Sequence, residues 1–589
     1  MCGICGVLSF EARGLEDLPR EEIRLMKNSL RHRGPDDEGE YFDRHIALGF
    51  RRLSIIDIHG GNQPLFNENK KLVLVVNGEI YNYIELSEGL KARGHIFSTK
   101  SDCETILHLY EERGIDCLFV LRGMFSFALW DVESGKLFLA RDRMGEKPFY
   151  FYSDNKKLFF ASELKSLIKT FSKKPSLNHQ AIDLFLCHQY VPEPLTLIEG
   201  VHKLPAAHYL NIDLAKPEIK PKRYWDPSDA DAISGNPVEC IRKELDDFIP
   251  LVLRSDVPIG IALSGGIDSG IIATLASSKH KERLSAFTVG YSGRPVFDER
   301  IEAGKLAEYL KIPLYETELS AGDFLNDFLN MIEAADDPVA DLAAYGYYRV
   351  MRLAHEHDMK VMLSGFGGDE LFWGYDWVLK SLQRKNSQPL IFYDLEPGFR
   401  ESYELLSVLY KRDFSDTLFS RESYTQFEFN PSIDKADSKI CKLICDVWLI
   451  SNCVVLGDRL SMANSVELRL PLLDHKFIET VYGLRKKYED YKLLPKAWFK
   501  EAFSDLFPQE AANRSKRGFT VPGKIWRKII LDKYSKLLTD GFLVENGIFE
   551  NKSLQSLIKK ARSESVCQVL GYRIAYLELW CRLILANGV

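Results

Sequence analysis

Val257-Pro258-Ile259-Gly260-Ile261-Ala262-Leu263-Ser264-Gly265-Gly266-Ile267-Asp268-Ser269-Gly270 is an apolar run that ends in a glycine-rich loop, and the helical Ile271-Ile272-Ala273-Thr274-Leu275-Ala276 follows it. Strand, glycine-rich loop and helix in that order make an anion site. The loop N–H groups and the helix N-terminus converge, and the glycines let an anion's oxygens approach the backbone. A lone Gly-Gly pair would more simply be a tight turn. No Gly-Lys-Ser or Gly-Lys-Thr follows, so this is not the mononucleotide P-loop. The alternation continues downstream with strands at 284–290, from 313 and at 360–363, and with a helix at 299–309 carrying Ile301, Leu306 and Leu310 on one side. The strand at 360–363 runs into a second glycine-rich loop, Ser364-Gly365-Phe366-Gly367-Gly368-Asp369-Glu370. Strands alternating with helices predict an α/β domain with a parallel doubly wound sheet. Ligands of such sheets sit at the carboxyl ends of the strands, so both loops reach one site.

The N-terminal third has a different rhythm. Strands are expected at 3–10, 46–50, 72–76, 125–130, 136–142 and 158–163, with a helix at 20–30 whose Ile23, Met26 and Leu30 share a face. Many strands with few helices predict stacked sheets, an α+β fold. Its first residues, Met1-Cys2-Gly3-Ile4-Cys5-Gly6, carry chemistry if Met1 is removed. Cys2 then bears a thiol and a free α-amine, nucleophile and base on one residue. Asn77-Gly78 closes the strand at 72–76, ordinarily a turn signal. The Asn77 amide and the Gly78 N–H can also aim at one point, which makes an oxyanion hole. Ser101-Asp102-Cys103-Glu104 reads as a helix cap, or as a carboxylate placed for a cation.

The chain has 589 residues, more than one core can use, so two or more domains are expected. A net charge of -7 argues against a nucleic-acid surface and a polybasic membrane anchor. No apolar run reaches the roughly 20 residues of a membrane span, and no signal peptide is visible. Eleven cysteines without a C-x-x-C pair predict a reducing, cytoplasmic setting, no disulfide framework and no zinc site. Residues 206–235, charged and punctuated by Pro217, Pro221 and Pro227, read as a linker between domains at 2–205 and 236–589. A helix at 238–253 opens the second.

Cys2, Arg31-His32-Arg33-Gly34-Pro35-Asp36, Arg51-Arg52-Leu53-Ser54-Ile55-Ile56-Asp57, Asn77-Gly78-Glu79-Ile80-Tyr81-Asn82 and Ser101-Asp102-Cys103-Glu104, in that order, resemble the class II glutamine amidotransferase domain of the N-terminal-nucleophile type. The resemblance implies that Cys2 attacks the glutamine side-chain amide and that Asn77 and Gly78 stabilise the oxyanion. By the same resemblance Arg52 pairs with the glutamine α-carboxylate, and Glu79 and Asp102 hold its α-ammonium. The products are ammonia and a thioester later hydrolysed to glutamate.

The loop at 264–269 resembles that of ATP pyrophosphatase-type enzymes. This implies that Ser264, Gly265, Gly266, Asp268 and Ser269 cradle pyrophosphate. It also implies that Leu263, Val289, Ser364 and Gly365 contact ATP, and that Asp268 and Asp369 hold Mg2+. The stretch 458–474, which alone reads as a solvated helix face, and the basic run Arg514-Ser515-Lys516-Arg517-Gly518 complete a resemblance of the whole chain to glutamine-hydrolysing asparagine synthetases. Lys516 would then neutralise charge building on the phosphates. The implied reaction amidates an AMP-activated carboxylate, aspartate to asparagine, with ammonia passed through a mostly apolar internal channel. Implied partners are glutamine and a small carboxylate acceptor, with no nucleic acid and no membrane; a homodimer is compatible.

One departure stands out. Phe366 occupies the position where the family carries Glu, and with Trp373, Tyr375 and Trp377 close behind, another acceptor such as a nucleotide-linked uronic acid is the alternative. A core role is the plainer reading of those three aromatics. A non-catalytic regulatory homologue is a third reading, opposed by the presence of Cys2, Asn77, Asp268, Asp369 and Lys516.

Overall fold

Strand Cys2–Ser9 alternates its side chains between two cores. Cys2, Ile4 and Leu8 face one cluster with Leu48, Phe50, Val73, Val75 and Trp130, while Cys5 and Val7 face another with Ile23, Met26 and Leu30. That period of two is what a strand buried on both faces requires. The computed structural model describes residues 2–14, 17–280, 284–382, 399–418, 435–506 and 520–586.

Two six-stranded sheets form the N-terminal part. The first runs in space Val201–Lys203, Tyr150–Ser153, Lys157–Ala161, Cys2–Ser9, Ile46–Arg52, Asp37–Phe42. The second runs Lys222–Arg223, His208–Asp213, Lys136–Arg141, Gly123–Asp131, Leu72–Ile80, Leu65–Phe66. All their pairings are antiparallel. The sheets stack on each other. Helix Arg20–Ser29 covers the outer face of the first, and Glu104–Arg113 packs against the second. The expected stacked-sheet architecture is therefore present. The expected linker at 206–235 differs: His208–Asp213 pairs with Lys136–Arg141, so much of it is sheet. The alternating Leu210 and Ile212 are fully buried, and that apolar pair holds the strand in place despite charged neighbours.

The second part holds five parallel strands in the order Leu314–Leu319, Ser285–Tyr291, Ile259–Ala262, Val361–Leu363, Glu467–Arg469. The chain moves outward from Ile259–Ala262 on one side and then returns to build the other. The order reverses between Ile259–Ala262 and Val361–Leu363, the crevice where doubly wound sheets bind ligands. Helices Ile267–Lys279, Arg300–Leu310 and Ala344–Glu356 are among the connections. In Arg300–Leu310 the buried residues are Arg300, Ala303, Leu306 and Ala307. Ile301 is 61% exposed, so the expected face is rotated, because Arg300 turns inward to Asp298 and Glu318. Against the expectation that no apolar run is long enough for a membrane span, the continuous helical run Asp437–Met462 is long and apolar enough by composition, but 83% of its apolar window is buried inside the protein.

Candidate active site

The register Cys2↔Arg52 places these residues side by side at one end of the first sheet. Stacking then brings Asn77 of the second sheet over them. The Cys2 N–H donates to Asn77 Oδ1 at 3.0 Å, while the buried Asn77 Nδ2 has no hydrogen-bond partner among the described residues. A buried amide nitrogen without an acceptor costs free energy and is what an oxyanion donor needs. Burial pushes the Cys2 thiol up, and the Leu53 N–H and Arg52 partly offset it. Asn77-Gly78 is not a turn. The strand continues to Ile80, in register with Gly123–Asp131 along its whole length. Gly78 is required by packing: a Cβ there would lie 2.3 Å from the Met124 carbonyl oxygen.

Glu79 and Asp102 are both buried. Asp102 Oδ2 accepts from the Ile80 N–H at 2.7 Å and leaves helix Glu104–Arg113, whose first residue is preceded by no side-chain cap. Burial, then Asp102 and Glu467, raises the Glu79 carboxyl well above the usual range, against the pull of Arg469. Burial also raises Asp102. Two buried carboxyls with raised values favour a cation beside them. Arg52 is buried with its guanidinium engaged by its own loop. One terminal nitrogen donates to Ile58 O at 3.2 Å and Asn62 Oδ1 at 2.7 Å, and the other to Ile56 O at 3.2 Å and Asp57 O at 2.6 Å. An end-on bidentate grip on a free carboxylate, through both terminal nitrogens, would require two of these bonds to open.

The second centre lies at the crevice of the parallel sheet. The lining of a cavity of about 670 Å³ includes Leu263, Ser264, Gly265, Gly266, Asp268, Ser269, Val289, Ser364, Gly365 and Asp369. These ten are the residues expected to contact ATP or Mg2+; Phe287, Asn452, Lys496 and Lys500 line it as well. The two glycine-rich loops touch: a Cβ on Gly365 would lie 2.6 Å from Ser269 N, and one on Gly368 2.4 Å from Asp268 Cγ. Within the first loop the Ser264 and Ser269 hydroxyls are 2.9 Å apart, and Gly266 N–H donates to Ser264 Oγ. Helix Ile267–Lys279 begins there with no side-chain cap, and its first residues Ile267, Asp268 and Ser269 line the cavity.

Lys496 was not singled out from the sequence. Its Nζ lies 2.5 Å from both Asp268 Oδ2 and Asp369 Oδ1. Burial alone would lower this ammonium, but the two carboxylates override it and hold it above its ordinary value. Lys496 has φ +60°, a region sparse for a residue with a Cβ, and its N–H is anchored to Phe372 O at 2.9 Å. The two carboxylates expected to hold Mg2+ thus converge on one point of positive charge, which a hard cation also fits. Lys516 lies outside the described residues. Phe366 lines the cavity and meets Tyr347 edge-on with centroids 4.8 Å apart. Tyr375 lines it too, stacked on Trp377 and edge-on to Trp448. Trp373 is a core residue, buried under the Arg485 guanidinium at 4.4 Å.

Between the two centres lies a network of buried ion pairs. Arg33 donates to the Cys2 carbonyl oxygen at 3.0 Å and to Glu163 at 3.0 Å, and pairs with Asp458 at 2.9 Å. Arg459 donates to Ser162 O at 2.9 Å, and Arg469 reaches Glu79 at 3.8 Å. Asp458, Arg459, Glu467 and Arg469 are therefore not a solvated face; the N-terminal domain covers them.

Residues 1–225 match the family profile described as a glutamine amidotransferase domain, and residues 240–582 the profile described as asparagine synthase. Glutamine-hydrolysing asparagine synthetase 1 of Bacillus subtilis is 30% identical over an alignment covering 98% of this chain and 96% of its own. A putative glutamine-hydrolysing asparagine synthetase of Mycobacterium tuberculosis is 33% identical, covering 89% and 88%. A protein of Gibberella zeae named amidase chry2 is 27% identical, covering 89% and 88%.

Proposed function

The chain belongs to the glutamine-hydrolysing asparagine synthetase family, and on that premise we propose that it amidates aspartate to asparagine, drawing nitrogen from glutamine at Cys2 and activating the acceptor with ATP. Cys2 Sγ attacks the glutamine amide carbon, the amide leaves as ammonia, and water releases glutamate from the thioester. At the distant cavity the acceptor carboxylate attacks the α-phosphorus of ATP, pyrophosphate leaves, and ammonia displaces AMP from the acyl-adenylate. A carboxylate by itself resists ammonia because oxide is a poor leaving group; AMP is a good one.

The observation that carries the reading is Asn77. Its oxygen orients the Cys2 nitrogen, and its buried, unpartnered amide nitrogen is a ready donor to the oxyanion. With Met1 removed, the Cys2 nitrogen becomes an α-amine that can take the thiol proton. Glu79 and Asp102 supply the charge that a substrate ammonium requires, and Arg52 the cation for its carboxylate. At the second centre the glycine-rich loops supply backbone N–H groups to the phosphates. Asp268 and Asp369 would hold Mg2+, which when bound offsets phosphate charge. Lys496 keeps the two carboxylates apart from each other's repulsion and presents positive charge to the leaving pyrophosphate. An ammonia passage between the sites belongs to the same proposal.

A second acceptor has support of its own. The wall of Phe366, Tyr347, Tyr375 and Trp448 is apolar and aromatic, which suits a carboxylate on a larger body, a nucleotide-linked uronic acid among them. The test is pyrophosphate release in the presence of glutamine and ATP, compared across aspartate and such uronic acids. Release with aspartate alone supports the first reading; release with a larger acid and none with aspartate replaces it.

A further inference from the structure

Glu68, His95, His108 and Glu111 come from three separate segments of the N-terminal domain, far from both centres in role. One ligand atom from each lies within 4.8 Å of all the others. His95 Nδ1 is 3.3 Å from Glu68 Oε1 and 3.6 Å from Glu111 Oε2; His108 Nδ1 is 3.5 Å from Glu68 Oε1 and 2.9 Å from Glu111 Oε2. Four donors around a zinc ion at bond lengths of about 2.0–2.2 Å are separated from one another by roughly 3.3 Å. The four histidine–glutamate separations, 2.9–3.6 Å, bracket that value.

The outer groups are arranged to match. Both imidazoles turn Nδ1 inward and Nε2 outward to a carboxylate. His95 Nε2 faces Glu112 Oε1 at 3.3 Å, and the fully buried His108 places Nε2, which has no hydrogen bond among the described residues, 3.7 Å from Glu104 Oε1. A carboxylate stands behind each histidine, the arrangement that orients metal-bound imidazoles. Those carboxylates are themselves held: Glu104 accepts from the N–H and hydroxyl groups of Ser98 and Thr99, and Glu112 from Arg93. Asn67 binds Glu111 Oε1 at 2.8 Å and leaves Oε2 toward the centre. Two imidazole nitrogens and two carboxylate oxygens, all within 4.8 Å of one another, suit a borderline-soft divalent ion.

We propose that Glu68, His95, His108 and Glu111 form a structural Zn2+ site. It ties the loop between helices Tyr83–Ala92 and Glu104–Arg113, which carries Asp102, to the end of strand Leu65–Phe66. The absence of a cysteine pattern concealed it, because none of its ligands is a thiol and the spacing from 68 to 111 follows no motif.

The test titrates chelator-stripped full-length protein with Zn2+ alone, by calorimetry and by metal analysis after dialysis. The wild type retains one equivalent, and His95→Gln and Glu68→Gln bind it about 100-fold more weakly or worse. Both positions are partly exposed. Co2+ added to the wild type provides a readout independent of the variants' folding: four-coordinate ligand-field bands without a thiolate charge-transfer band. No Zn2+ retained by the wild type, equal affinity in the variants, or a thiolate-to-cobalt band would overturn the proposal. The first of these would leave the cluster as an ion-pair network of protonated imidazoles.

Discussion

Asn77 faces two ways at once, and a substitution can separate its duties. Asn77→Ala removes the donor for the oxyanion and is expected to lower kcat for glutamine hydrolysis by about 10²–10³-fold, with KM little changed. Steady-state glutamate release measures both. Glu79 makes a second prediction. Its carboxyl is raised well above the ordinary value by burial and by Asp102 and Glu467, so it keeps its proton to a higher pH folded than unfolded. An ammonium beside it favours the ionised form. Glutamine binding to the Cys2→Ala protein is therefore expected to release a proton and to weaken as pH falls below that raised value. Calorimetry in buffers of different ionisation heat reads this directly, and heats independent of buffer would contradict it.

The glycine-rich loops were legible from sequence because their chemistry is local: an apolar strand, glycines and a helix start lie within 14 residues. Asn77-Gly78 misleads at the same scale, since the pair is extended by its long ladder with Gly123–Asp131. Lys496 was not legible at all. It lies 228 residues from Asp268, and its flanking Leu494, Pro495 and Ala497 carry no polar signal. Asp458, Arg459 and Arg469 read as exposed because a sequence does not show which domain will cover them. Two outcomes are expected for these elements. Gly365→Ala drives a methyl to within 2.6 Å of backbone nitrogen, so the loops separate and pyrophosphate release falls while glutamine hydrolysis persists. Lys496→Met removes the ammonium that lies 2.5 Å from both Asp268 and Asp369, and ATP-dependent amidation falls about 10²-fold. Parallel assays of glutamate and pyrophosphate resolve both.

For the molecule as a whole, Arg33 joins the nucleophile's own carbonyl to Asp458 of the second domain. Breaking a buried pair by removing one partner costs about 3–5 kcal/mol, so Arg33→Met should lower stability by that order in urea denaturation. Burial would raise Glu163, but His32, Lys165 and Arg33 outweigh it and hold it well below the carboxylate range; Arg33 and Lys147 likewise hold Asp458 down against its burial. Depressed carboxylates stabilise above their unfolded values near about pH 4 and lose that contribution as pH falls through the folded ones. Acid should therefore cost the wild type more stability than Arg33→Met. These links hold two chemically independent centres, one proposed to release nitrogen and the other to consume it. The measurement that tests this most directly is amide formation by Cys2→Ala on the acceptor found by pyrophosphate release, with glutamine and then with saturating ammonium as nitrogen source. No product is expected from glutamine, and product from ammonium at close to the wild-type rate; product from glutamine, or none from either, would contradict two separate centres.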